Sequence, residues 1–188
     1  MSTKIPNLDS SRRVRAKLIA LFLGWTVVFF LLFERYQEFV GLGYVRSVSY
    51  AASFLLHGIG IHSEAIMDLQ AGACTLLLEQ ATYTITQGCT GLFTCALFVS
   101  GILSYPVAWR MKLIGLLIGI PSFFTFGILR IVIMAIVAVI QPSRVEVFHV
   151  YIMAIANLGF AVFVWVYWFN KVVEGEKLGP VSGFSQIR

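Results

Sequence analysis

Between Leu113 and Ile140 the chain carries one charged residue, Arg130. Seventeen uncharged residues precede that arginine and ten follow it. Such a run reads as a bilayer-crossing helix, because about 20 helical residues (range ~17–25) cross a hydrocarbon core of ~30 Å. Three more runs fit the same template: Leu18–Phe33, Thr90–Ala108, and Phe148–Asn170, the last interrupted only by His149. The first reaches full length if Ala16 and Lys17 are included, the lysine snorkelling to the surface. Composition agrees. The chain is 59% hydrophobic and 12% charged, against about 25% charged in a soluble domain. That excludes a soluble enzyme and a disordered chain, and three cysteines are too few for a secreted disulfide scaffold. The net charge of +5 resides in residues that flank apolar runs, so it signals topology rather than nucleic-acid binding.

Sidedness follows from the basic residues. Lys4, Arg12, Arg13, Arg15 and Lys17 precede the first span, Arg110 and Lys112 separate the second from the third, and Lys171, Lys177 and Arg188 follow the fourth. The remaining segments hold only Arg35, Arg46 and Arg144, with most of the acids. The positive-inside rule then predicts both termini in the cytoplasm, four spans, and residues 34–88 outside. Residues 1–17 and 171–188 become cytoplasmic tails, and Phe33-Glu34-Arg35-Tyr36 reads as the end of an uncleaved anchor.

Within the external segment, Val45, Val48, Ala52, Leu55, Leu56 and Ile59 recur at helical spacing, which predicts an amphipathic helix on the outer surface or against the bundle. Residues 81–87 (Ala-Thr-Tyr-Thr-Ile-Thr-Gln) alternate as strands do, and Ala71-Gly72 reads as the turn between Ile66–Gln70 and Cys74–Leu78. The fold class expected is mainly α: one membrane domain of about four spanning helices, with an outer amphipathic helix and a small external β-hairpin.

Three residues stand where apolar packing alone would not put them. Cys89, bracketed by Gly88 and Gly91, stands at the mouth of the second span, with Thr90 placed to cap the helix. A thiol at a helix N-terminus tends toward thiolate; its bland role is to fill a helix end. Arg130 lies about 25 Å along its helix from Leu113, near the outer edge of the hydrocarbon. A guanidinium there costs ~2.5–3.5 kcal/mol and normally faces the bundle with a task; its structural role would be a pair with Glu146 or with helix carbonyls. His149 opens the last span at the same boundary, where a hydrated imidazole is the plain alternative. Together they supply a nucleophile, an anion clamp and a general acid/base. Cys95 reads as packing, and a Cys74–Cys89 disulfide as an outside possibility. His57 and His62 read as too far apart for a metal site, and Trp165 and Trp168 as an inner interfacial belt.

Gly88-Cys89-Thr90-Gly91-Leu92 at the start of a span, Leu129-Arg130-Ile131 in a later one and Phe148-His149 before the last resemble the exosortase/archaeosortase family of membrane cysteine proteases and transpeptidases. The resemblance covers roughly Ile61 to Phe169. It implies Cys89 as nucleophile, Arg130 as essential arginine and His149 as third catalytic residue. It also implies membrane-anchored protein substrates whose C-terminal sorting signal comprises a short motif, a transmembrane helix and a basic cluster. Departures from the family pattern (Gly and Thr around Cys89 in place of Ala and Ser, Gly127 where asparagine is common, and a short stretch from Arg130 to His149) suggest a compact subfamily. The expected setting is the cytoplasmic membrane, with the site facing outward and the lipid bilayer as a further partner. No cofactor, metal or nucleic acid is expected, and a haem on His149 finds no second well-placed histidine. The other class of function is a non-enzymatic assembly factor or transporter subunit, with Arg130 a structural charge and Cys89 dispensable.

Overall fold

A computed structural model describes residues 8–68, 71–78 and 81–174. The chain runs α1 (Leu8–Arg35), α2 (Leu42–Gly58), β1 (Ser63–Asp68), β2 (Ala73–Leu78), β3 (Thr82–Ile85), α3 (Leu92–Ser104), α4 (Trp109–Ile140), a single turn α5 (Val145–Val147) and α6 (Met153–Trp168). Lys4, Lys177 and Arg188 from the charge count, and Gln70 from the expected hairpin, lie outside the described residues.

The mainly helical membrane architecture is present, with four helices long and apolar enough to cross: Arg13–Arg35, Phe39–Gly58, Trp109–Ile140 and Pro142–Lys171. The membership differs from expectation. The anticipated span over 90–108 contains a helix of only 13 residues, α3, about 20 Å long. Gly91 in the left-handed region (φ +76°) separates it from the preceding turn, and Ser104 ends it ahead of Pro106, whose ring cannot continue a helix. The helix expected on the outer surface or against the bundle is α2, which packs against α4, and the stretch that contains it, Phe39–Gly58, is also long and apolar enough to qualify as a span.

Helix α2 shows why. Its buried face is Val45, Val48, Ser49, Ala52, Ser53 and Leu56. Leu55 and Ile59, assigned inward from periodicity, are about half exposed alongside Phe54. The helix is apolar on both sides, so hydropathy alone could not choose its inner face. Ser53 turns inward because the chain supplies a partner: its Oγ donates to the carbonyl oxygen of Ser63, tying the end of α2 to β1.

The expected hairpin is a three-stranded antiparallel sheet, β1-β2-β3, with Glu64 opposite Leu77 and Leu76 opposite Tyr83. Alternation over β3 places Tyr83 and Ile85 inward and Thr82 and Thr84 outward.

Helix α4 organises the rest. Its 32 residues extend about 48 Å, well beyond a ~30 Å hydrocarbon core, and it continues through Pro121. Its first half packs in an aromatic core with Cys95, Phe98 and Ile102 of α3 and Val164 and Trp168 of α6, through Met111 and Phe123. Its second half, Ile131 to Ala138, packs in another core against α2, the sheet, Cys89 and Met153. The aromatic-belt expectation holds only in part: Trp165 is partly exposed, but Trp168 is fully buried and its Nε1–H donates to the carbonyl oxygen of Met111 at 3.0 Å.

Candidate active site

Cys89 lies not in a helix but in a short 3-10 turn, Gln87–Thr90, that hangs from the end of β3. Its N–H donates to the Thr86 carbonyl oxygen at 3.0 Å. The expected Thr90 cap is absent: the Thr90 hydroxyl turns back and donates to the Gln87 carbonyl oxygen at 2.7 Å, and Gly91 occupies the N-cap position with no side-chain bond. A buried threonine inside a tight turn finds its nearest acceptor behind it, so it stabilises the turn and not the helix. α4 presses directly on this turn. A Cβ at Gly127 would sit 2.7 Å from the Thr90 carbonyl oxygen, so only glycine permits that approach. Arg130, three residues on, is one helical turn along the same helix.

His149 arrives from the opposite direction, in a π-helical stretch over Phe148–Ile152. Widened turns of this kind recur at functional sites. The imidazole Nε2 stands 3.6 Å from Cys89 Sγ, within hydrogen-bonding reach for sulfur, and the Thr86 hydroxyl lies 3.4 Å from the same sulfur. Nδ1 faces the Tyr83 hydroxyl at 3.4 Å, with the two rings edge to face at 6.4 Å. Contacts of this length in an unliganded site commonly tighten around substrate.

Arg130 is 7% exposed, and its buried Nε has no hydrogen-bond partner. Among the described residues it makes no ion pair, and Glu146, its anticipated structural partner, is exposed. Its charge acts on both Tyr83 and His149, so it lies within electrostatic reach of the Cys89–His149 contact. Burial raises the Tyr83 hydroxyl well above its usual pKa, Cys89 adds to the rise, and Arg130 opposes it. Tyr83 is therefore a neutral hydroxyl at every ordinary pH.

Of the three residues singled out from the sequence, Cys89 and His149 meet, and Arg130 lies within electrostatic reach of the histidine. Tyr83 and Thr86, which sequence reasoning passed over, join them. Strand alternation separates Tyr83 from its threonine neighbours, but periodicity names neither the covered face nor the partner. The cysteines separate as follows. All three are free; Cys74 is wholly buried in β2, with burial raising its pKa, and Cys95 belongs to the aromatic core around the first half of α4. His57 and His62 are closer than their places in the chain suggested, with ring centroids 5.8 Å apart. Among the described residues no group of three or more histidine, cysteine or acidic side chains is arranged to hold a metal. Comparison with protein-family models, curated proteins and solved structures finds no match to the chain.

Proposed function

We propose that this protein is a membrane cysteine protease or transpeptidase of the exosortase/archaeosortase type. It acts on membrane-anchored proteins at a C-terminal sorting signal made of a short motif, a transmembrane helix and a basic cluster. The observation that carries the reading is the 3.6 Å approach of Cys89 Sγ to His149 Nε2, within electrostatic reach of a buried guanidinium that has no counter-charge among the described residues. A buried cation is costly unless compensated, and in this reading the compensating charge is the oxyanion that forms during reaction.

Cys89 attacks the scissile carbonyl carbon, and the C=O electron pair moves onto oxygen, where Arg130 stabilises it. The planar guanidinium holds its proton throughout, which suits a clamp and not a proton carrier. His149, positioned at the sulfur, takes the thiol proton and delivers it from Nε2 to the leaving amine as the C–N bond breaks. The product is a thioester on Cys89. An amine, hydroxyl or water then attacks it, giving its proton to His149, and the thiolate leaves.

In this reading the basic flanks keep both termini cytoplasmic, α2 lies against the bundle without crossing, the segment of α3 crosses, and the site opens on the other face, at the depth where an anchored substrate leaves the bilayer. Docking between membrane-bound partners turns an encounter into an oriented, nearly intramolecular reaction.

Cys89→Ala and Cys89→Ser in the full chain test the reading. Both variants are expected to insert and fold normally while the tailed substrate accumulates uncut, with a thioester trapped only on the wild type. Normal processing by Cys89→Ala would show that the nucleophile lies elsewhere.

A further inference from the structure

The segment that carries His149 is poorly held. From Pro142 through Ile152 no residue is buried, and the first buried side chain of this helical stretch is Met153. The imidazole is only half-buried, and its hydrogen-bond partners among the described residues are Cys89 on Nε2 and Tyr83 on Nδ1. Cys89 is the group whose proton must move, so it cannot also be the fixed reference that aims the ring. Tyr83 has what such a reference needs. It is 7% exposed, paired with Leu76 of the central strand β2, and packed in the core formed by α2, the sheet and the second half of α4.

We propose that Tyr83 is the positioning residue for His149: its hydroxyl holds Nδ1 and so directs Nε2 at Cys89. The inference rests on the Cys89–His149 reading above but adds a part that reading does not contain. An imidazole has two faces to its proton chemistry, and the partner at one nitrogen selects the state of the other. With Nδ1–H donating to the tyrosine oxygen, Nε2 presents a lone pair to the thiol. Once Nε2 has taken the thiol proton the ring is an imidazolium, whose Nδ1–H still donates to the same tyrosine oxygen. The ring therefore stays aimed in both protonation stages, and the proton that Nε2 later gives to the leaving amine is the one it took from sulfur. The other titratable or charged groups at the ring are Cys89 from the turn and Arg130 from α4; Glu146, one turn earlier on the same segment, is exposed and makes no ion pair with it.

Tyr83→Phe in the full-length protein in detergent or nanodiscs is the test, because it keeps the buried ring and removes only the hydroxyl. With histidine labelled by 15N, the three imidazoles of the chain report their tautomers separately. The His149 signals are expected to move toward a tautomer mixture while those of His57 and His62 stay in place. The rate of Cys89 alkylation by a small iodoacetamide, mapped by mass spectrometry across pH, is expected to lose its His149-dependent inflection and to fall about fivefold near neutrality, the size of one net hydrogen bond. Tyr83→Phe combined with His149→Ala should be no slower than His149→Ala alone, since the tyrosine acts only through the imidazole. Unchanged His149 signals and an unchanged alkylation profile in Tyr83→Phe would overturn the proposal. So would additive losses in the double variant. These readouts need no substrate, so they stand apart from the peptidase reading, which fails on processing by Cys89→Ala.

Discussion

The two cores strung along α4 solve the burial of polar groups in opposite ways. In the lower core, between α3, the first half of α4 and α6, each hydroxyl is satisfied locally: Ser100 donates to Ala96, Ser104 to Ser100 and Ser122 to Ile118. What remains for packing is aromatic, with Phe123 between Phe98 and Phe160. The upper core, between α2, the sheet and the second half of α4, buries Cys74, Tyr83, Cys89 and Ser49, with Arg130 beside them. Among the described residues, three buried side-chain polar atoms lack hydrogen-bond partners. They are Ser49 Oγ and Arg130 Nε in the upper part, and Asn157 Oδ1, close to Gly91 at the junction. One half of the molecule spends nothing on unsatisfied polarity and the other concentrates it. Unpaired groups are a stability cost that persists where a site uses them.

The strongest way to break this contrast is Arg130→Met. If the upper core trades stability for chemistry, substrate processing falls 10²–10³-fold, about 2.7–4 kcal/mol. Thermal stability in detergent holds or rises, because a buried orphan charge has become apolar. Loss of both activity and fold would make Arg130 a structural charge. Next in size is Gly119→Ala in the lower core, where a Cβ would collide with the Phe98 ring. Overpacking there should cost about 1–3 kcal/mol in a thermal or denaturant melt, with the activity of the folded fraction unchanged.

Two smaller experiments sharpen the comparison. Mass-mapped alkylation of the native protein should label Cys89 at least about tenfold faster than Cys74, the equivalent of ~1.4 kcal/mol. Burial raises the Cys74 pKa, so its contribution to stability is complete below the unfolded thiol's pKa. It is lost as pH rises through the higher folded value, and alkaline melts of Cys74→Ala should lack that part of the decline. The smallest effect belongs to Thr94→Val at the junction. It removes the acceptor of the 2.5 Å bond from Asn157 Nδ2 and should lower stability by about 0.6 kcal/mol, the average for interhelical hydrogen bonds in a membrane. A larger loss would mean that this polar link ties the two cores together.

Much of this architecture was legible in the chain, and the errors have identifiable causes. Long apolar runs located α1, α4 and the helix leading to Trp168, because hydropathy over 20 residues is a strong signal. Alternating threonines located β3. The helix over 90–108 was overread because hydropathy does not register a left-handed glycine such as Gly91. Leu55 and Ile59 belong to the apolar stripe of α2 yet are about half exposed, because the inner face is set by packing and by the bond of Ser53 to β1, which hydropathy does not register. Trp168 was read as a surface belt residue, since nothing local announces that the Met111 carbonyl will receive its indole N–H. At the site, Cys89, Arg130 and His149 stood out because each is chemically conspicuous in an apolar setting. Tyr83 and Thr86 did not, since a tyrosine and a threonine in a strand are ordinary β-formers.

Sequence alone determined the solvent this protein lives in, the positions of most helices, the strand that ends above Cys89, and the presence of three reactive groups in a chain otherwise short of them. Those are properties of single residues and of spacing along one element. The tertiary structure decided which groups meet: Cys89 with a histidine 60 residues away, that histidine with a tyrosine 66 residues away, and an arginine left without a counter-charge. Periodicity reports that a face will be covered. Only the packing of α4 across the Cys89 turn, at a glycine that lets the backbones touch, determines what covers it.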